Sequence, residues 1–176
     1  MKKIALIYWP KKGSTEDAAL KILSKFNQNS VKLFTITNIT TAEFALYDSF
    51  IVGGSTTGAD NWEDAHKSRW NEFFIHLKGV DLKGKQFAIF GLGNQILYPN
   101  NFVDGITEIK EQFERDGAEL VGLWPAIGYE FKDSRSVTGG KFYGLALDSD
   151  QQDELTDGRI NQWVDQLKDE LGIKDA

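Results

Sequence analysis

Six consecutive residues, Pro10-Lys11-Lys12-Gly13-Ser14-Thr15, put two hydroxyls, two ammonium groups and a glycine directly before an amphipathic segment that begins at Glu16. Backbone N–H groups at a helix opening, next to hydroxyls and cations, suit an anion such as a phosphate monoester. The same residues also read as an ordinary helix entry, with Ser14 or Thr15 as N-cap and the lysines as solvated charges. The loop alone leaves both readings open, because it has neither the Gly-Lys-Ser/Thr ending of a nucleotide P-loop nor a G-x-G-x-x-G run. Two further stretches, one from Ser55 to Asn61 and one from Gly91 to Asn101, follow apolar runs and could meet the same ligand. The chain has no cysteine, which excludes disulfides, thiol catalysis and cysteine-ligated clusters. Its two histidines, His66 and His76, leave little for a metal centre. Redox work would therefore need a borrowed group.

The elements that would position these stretches alternate. Ile4 to Trp9 is a short apolar run that predicts a buried strand, and Ala18, Ala19, Ile22, Leu23 and Phe26 recur at helical spacing. Val31 to Ile36 reads as a second strand, Thr40 to Leu46 as a short helix capped by Thr40 or Thr41, and Ser49 to Val52 as a third strand running into Gly53-Gly54. The polar stretch from Ser55 to Lys67 is long for a strand-to-helix connection, and such loops are usually functional. Trp70, Phe73, Phe74 and Leu77 mark another helix, Gln86 to Phe90 a fourth strand, and Ile106, Ile109 and Phe113 a further helix closed at Gly117. Glu119 to Trp124 reads as a fifth strand. A polar excursion from Pro125 to Lys141 precedes a resumed strand over Phe142 to Leu147, and a last helix is expected after a cap at Thr156. The pattern predicts an α/β fold: a doubly wound five-stranded parallel sheet with helices on both faces. Ligands of such sheets lie outside the carboxyl ends of the strands, where the three loops begin.

With 176 residues, 41% of them hydrophobic, and no Pro- or Ser-rich linker, a single domain over residues 1–176 is expected. A formal net charge of −6 argues against nucleic acid and suits a partner with a basic docking face. There is no secretory signal region and no apolar run long enough to cross a bilayer, so no membrane insertion and a cytoplasmic location are expected.

The stretch Phe90-Gly91-Leu92-Gly93-Asn94-Gln95-Ile96-Leu97-Tyr98-Pro99-Asn100-Asn101-Phe102 resembles the F-G-x-G-D-Q-x-x-Y-x-x-N-F loop of the flavodoxin family. Gly128-Tyr129-Glu130-Phe131 and Gly140 to Asp148 are similar to the insertion of long-chain flavodoxins and the strand that resumes after it. Leu155 to Ile160, with Trp163, resembles the start of the family's last helix. The resemblance covers nearly the whole chain. It implies strand order 2-1-3-4-5 with the last strand split by the insertion, and one non-covalent FMN cycling through its one-electron state. The phosphate would lie in the loop of Pro10, Lys11, Lys12, Gly13, Ser14 and Thr15, and the ring between Ser55, Thr56, Thr57 and Gly58 on one side and Gly91, Leu92, Gly93, Asn94, Tyr98 and Asn101 on the other. Tyr98 would be the stacking aromatic, Asn94 the ligand of the pyrimidine edge, and Gly58 the residue whose peptide flips on reduction, which a glycine makes sterically cheap.

The departures matter as much. Family phosphate loops read T/S-x-T-G-x-T, whereas Pro10 and Lys12 stand at the first two hydroxyl positions here, with only Gly13 and Thr15 in register. The amides of Lys11 through Thr15 are then expected to hold the phosphate, helped by a lysine. Asn94 stands where aspartate is usual, and Thr57 where many members place an aromatic or Leu. Trp62 either covers the inner ring face or packs on the helix around Trp70. The implied function is a low-potential one-electron carrier, not an enzyme. It would be a monomer serving partners such as a ferredoxin/flavodoxin-NADP reductase or a pyruvate oxidoreductase, and acceptor enzymes. The alternatives are an NAD(P)H:quinone reductase-like enzyme and a flavodoxin-like scaffold with weak or no FMN binding. The Glu130 to Arg135 run reads either as a docking surface or as a solvated face without a partner.

Overall fold

The computed structural model describes residues 1–55 and 69–174. Thr56, Thr57, Gly58 and Trp62 therefore lie outside the described residues. Strand β1 (Ile4–Trp9) has the fully apolar run that burial on both faces requires, and Ile4 through Ile7 are completely buried. Helix α1 (Ser14–Leu23) lays Ala18, Ala19 and Ile22 on the sheet and stops before Phe26, which the helical periodicity had included. Strand β2 (Val31–Thr35) leads to a short 3-10 helix (Thr41–Leu46), whose entry is held by the Glu43 carboxylate accepting the Thr40 N–H at 2.8 Å. Strand β3 (Ser49–Gly54), helix α2 (Arg69–Leu77), strand β4 (Gln86–Leu92) and helix α3 (Gly105–Arg115) follow.

The predicted strand over Glu119 to Trp124 is instead two pieces. Strand β5 (Glu119–Leu120) pairs with β4, and then the chain turns at Gly122, at φ 80°. Trp163 of the last helix donates its Nε1–H to Gly122 O at 2.9 Å, and a Cβ on Gly122 would come within 2.8 Å of Leu167. Helix packing thus takes the place of strand pairing there. Strand β6 (Trp124–Pro125) joins β7 (Val137–Thr138) and β8 (Lys141–Phe142) in a small antiparallel sheet of its own. The resumed strand is likewise broken, and β9 (Leu145–Leu147) returns to β4. Gly144, between β8 and β9, crosses so close over Ile89 that a Cβ would lie 2.1 Å from its carbonyl oxygen. The fifth lane of the sheet is shared: β5 lies opposite Gln86 and Phe87, β9 opposite Phe90 to Leu92. That is the expected split strand, in a parallel sheet ordered β2-β1-β3-β4-β5.

Helix α4 (Asp153–Leu171) starts three residues before the expected cap at Thr156, which is buried inside the helix with a hydroxyl unpartnered among the described residues. Ile160, Trp163, Val164 and Leu167 are its buried face, and α4 packs with α1 on one side of the sheet. On the other side, Phe113 of α3 stacks on Phe87 at 5.2 Å and Phe73 of α2 meets Phe44 at 6.2 Å. Each such side chain contributes about 1.5–3 kcal/mol by leaving water. Register places Trp9, Gly54 and Gly91 abreast at the carboxyl edge of β1, β3 and β4.

Candidate functional site

The three carboxyl ends lie side by side, so the chain leaves the sheet at Pro10, Ser55 and Gly93 within about 10 Å, two strand spacings. The first loop ends differently from a capped helix. Gly13 is the N-cap, in extended backbone and with no side-chain cap, so Ser14 and Thr15 are the first two helical residues and neither caps. Thr15 is buried, while Lys11, Lys12, Gly13 and Ser14 are exposed. Pro10 follows a cis peptide bond, and Lys12, not the adjacent glycine, takes a left-handed backbone at φ 59°. The Lys12 N–H donates to Glu16 Oε2 at 3.0 Å, and the hydroxyl of Tyr8 donates to Glu16 Oε1 at 2.5 Å. These two bonds, that from Tyr8 first, hold the Glu16 carboxyl below its ordinary value. Burial first, and the Glu16 contact second, push the Tyr8 phenol up to about 12. The five amides expected for an anion are thereby reduced to four, Lys11, Gly13, Ser14 and Thr15, because Lys12 N–H is committed to Glu16.

At the second loop only Ser55 is described, half-buried beyond Gly54. The two glycines before it are required by packing: a Cβ on Gly53 would fall 1.8 Å from the Phe90 ring, and one on Gly54 2.7 Å from Trp70.

The third loop is the most structured. Gly91 and Leu92 still belong to β4, and Gly91 faces Ile106 so closely that a Cβ would sit 2.6 Å from it. Gly93 N–H donates to Leu147 O at 2.9 Å and ties the loop's start to β9. Asn94 is buried, and its Oδ1 accepts the N–H groups of Ile96 and Leu97 at 3.1 and 2.9 Å. Its Nδ2 donates to Asp150 Oδ2 at 3.3 Å, so a carboxylate stands beside the residue that lacks one. Gln95 N–H donates to buried Asp148 Oδ2 at 2.9 Å, while Gln95 Oε1 accepts the N–H of Glu130. The tip is open: Ile96, Leu97 and Tyr98 are 53%, 69% and 61% exposed. Asn101 lies at the exposed far end, its N–H on Tyr98 O at 3.3 Å.

The excursion after β6 is exposed at Glu130, Lys132, Asp133 and Arg135 but buried at Ser134 and Ser136. Lys132 and Asp133 N–H both donate to Pro99 O, at 2.7 and 2.8 Å, and Ser134 Oγ donates to Phe102 O at 2.6 Å. Ser136, fully buried, donates to Val103 O at 2.8 Å and accepts Thr107 N–H at 3.1 Å. Phe102 stacks on Phe131 at 5.4 Å and meets Tyr129 and Phe142. The excursion therefore grips the base of the third loop and leaves its tip free. Val103, in a left-handed backbone at φ 49°, is where that grip is densest, which is what such a conformation in a β-branched residue needs.

Chemically, the arrangement offers amides unpartnered among the described residues, two hydroxyls and two cations at one end and an exposed aromatic ring at the other, across one sheet edge. That fits a phosphorylated ligand with a flat ring. Among the described residues no cluster of His, Asp and Glu could hold a metal ion, and no helix is long and apolar enough to cross a membrane. Three features escaped the sequence reading: the Tyr8–Glu16–Lys12 contact, the carboxylates of Asp148 and Asp150 around Asn94 and Gln95, and the buried serines of the excursion. Glu16 takes the N–H of Lys12 and not that of the N-cap Gly13, so no capping-box pattern announces it, and the other two depend on contacts distant in the chain.

A family model described as flavodoxin matches residues 6–163. A flavodoxin of Nostoc sp. is 39% identical over 172 residues, covering 98% of this chain and 99% of the relative. One of Synechococcus elongatus is 37% identical over 174 residues, covering 98% and 100%. The structure of a Fusobacterium nucleatum flavodoxin bound to flavin mononucleotide superposes with a TM-score of 0.84 at 27% identity, covering 97% of this chain and 99% of that one.

Proposed function

The chain belongs to the flavodoxin family, and from that premise we propose which of its residues serve an FMN-binding electron-transfer protein. The protein carries electrons between redox partner proteins and is not itself an enzyme; FMN, when bound, supplies the one-electron chemistry. The phosphate is assigned to the amides of Lys11, Gly13, Ser14 and Thr15, the hydroxyls of Ser14 and Thr15, and the ammonium of Lys11 or Lys12. The ring is assigned to the space between the segment from Ser55 through Thr56, Thr57 and Gly58 and the loop of Gly93, Asn94, Tyr98 and Asn101. Tyr98 is its outer stacking partner. Pro10, Gly91 and Leu92 shape the two loops from within the backbone. Asn94 reaches the ring through its backbone, because its side chain is already engaged with Ile96, Leu97 and Asp150. The finer proposals are a monomeric, single-domain, cytoplasmic carrier whose partners include a ferredoxin/flavodoxin-NADP reductase or a pyruvate oxidoreductase.

The observation that carries the assignment is the alignment of Trp9, Gly54 and Gly91 at one sheet edge, which opens the amide-rich loop and the Tyr98 loop towards a common space. Titration of the apo-protein with FMN, followed by quenching of flavin fluorescence, tests it. Tight one-to-one binding that falls sharply in Tyr98→Ala is expected, together with no NAD(P)H oxidation unless a separate reductase is added. Reductase-free NAD(P)H oxidation would replace the carrier with an enzyme, and absent binding would leave a scaffold.

A further inference from the structure

The phosphate loop holds a left-handed lysine beside a glycine that does not use its freedom. Lys12 sits at φ 59°, while Gly13 is extended at φ 176°. A side chain in the left-handed region is strained, and it persists where neighbouring contacts over-determine it. The backbone contact that Lys12 makes is its N–H on Glu16 Oε2 at 3.0 Å. The other carboxylate oxygen accepts Tyr8 Oη, and Tyr8 is 4% exposed, in register with Thr35 and Gly53 on either side. One carboxylate thus ties the loop to strand β1 on one side and to the first turn of α1 on the other.

We propose that Glu16 is a positioning residue of the phosphate loop, its carboxylate fastening the left-handed Lys12 to Tyr8 so that the remaining loop amides face the FMN phosphate. This rests on the assignment of that loop to FMN. The N–H groups of Lys11, Gly13, Ser14 and Thr15 have no partner among the described residues, whereas that of Lys12 is taken. Glu16 therefore selects which amides stay open. The arrangement has an electrostatic cost, since a carboxylate stands next to a phosphate dianion, and Lys11 and Lys12 offset it. The geometric and electrostatic roles separate by substitution. Glutamine keeps the shape, can accept the Lys12 N–H and can donate to Tyr8 Oη, but carries no charge. Alanine removes both the charge and the tether.

Glu16→Gln and Glu16→Ala are equally neutral, so a difference between them reports the tether alone. Apo-protein of each is titrated with FMN and with riboflavin, which lacks the phosphate, and the hydrogen exchange of the Lys12 amide is measured in the absence of any ligand. Glu16→Ala is expected to bind FMN about tenfold more weakly than Glu16→Gln, with riboflavin affinities alike. The Lys12 amide should be protected in wild type and Glu16→Gln and exchange freely in Glu16→Ala. Tyr8→Phe, which keeps the buried ring, should show a smaller loss for FMN only, and it decides the matter if Glu16→Ala does not fold. Equal FMN affinities of the Gln and Ala variants, equal losses for riboflavin, or a Lys12 amide as protected in Glu16→Ala as in wild type would overturn the proposal. Loss of FMN binding in the wild type would instead refute the assignment of the cofactor, while the exchange measurement would still report on the tether.

Discussion

Lys11 and Lys12 stand exposed at the loop where the family places hydroxyls, so their charges can act on a phosphate and on little else nearby except Glu16. Replacing both by alanine should weaken FMN binding about tenfold and leave riboflavin unchanged, as read by titration of the apo-protein; equal losses would show that the lysines act on something other than phosphate. Asn94 invites a second substitution. Its Oδ1 already organises the turn over Ile96 and Leu97, and an aspartate would keep that, but it would stand about 3.3 Å from the carboxylate of Asp150. Asn94→Asp should therefore make the second one-electron potential of the bound cofactor more negative. One unit charge about 6 Å away at an effective dielectric near 20 contributes on the order of 2–3 kcal/mol before screening. Spectroelectrochemical titration decides it, and an unchanged or less negative value would sink the electrostatic account. Asp150→Asn should shift the same potential the other way. At this scale Tyr98 and Asn94 could be singled out as candidates because their spacing within Phe90 to Phe102 resembles the family's loop. Glu16 and Asp150 were not, because each acquires its role from a neighbour that only folding brings close.

Among the elements, the excursion between β6 and β8 was legible in place and illegible in purpose. Its polar composition reads as a solvated face, yet Ser134 and Ser136 are buried and spend their hydroxyls on carbonyls of Phe102 and Val103. Ser136→Ala leaves Val103 C=O and Thr107 N–H short of a buried partner. That should cost about 2–4 kcal/mol, seen as a lower urea midpoint with an unchanged slope; a midpoint within error of wild type would mean that water takes the serine's place. The break at Gly122 inside the first piece of the fifth strand was missed for a related reason. Val121 to Trp124 has strand-like residues, but a helix carrying Trp163 reaches Gly122 first, and its hydrogen bond is invisible to any local pattern. Thr156 was misplaced as a cap because it is a good capping residue next to an apolar run, whereas the chain had already entered the helix at Asp153.

For the whole molecule, the parallel α/β architecture followed from the alternation of strands and helices, the strand order came with the family resemblance, and the candidate site was placed from the sheet. Two of its tyrosines couple the fold to alkaline pH. Tyr8 and Tyr129 are both pushed up to about 12, chiefly by burial, against about 10 in an unfolded chain. A raised phenol means that the folded state holds the proton longer, so this stability is complete below pH 10 and is lost as pH climbs from 10 towards 12. Tyr129 donates to Ala146 O at 2.6 Å and accepts Trp124 Nε1–H at 2.9 Å. Tyr129→Phe should therefore be less stable at neutral pH and lose stability less steeply above pH 10, measured as urea midpoints across that range; parallel profiles would contradict the assignment. A different consequence belongs to the third loop. Its flanks are fastened at Gln95 and Pro99, while Ile96, Leu97 and Tyr98 project from between them. Anchorage and recognition are thus divided between separate residues, and the tripeptide is an interchangeable cassette. A library randomised at those three positions should yield mostly folded, expressible proteins whose flavin affinities and potentials differ widely, so that this carrier could be retuned without being rebuilt.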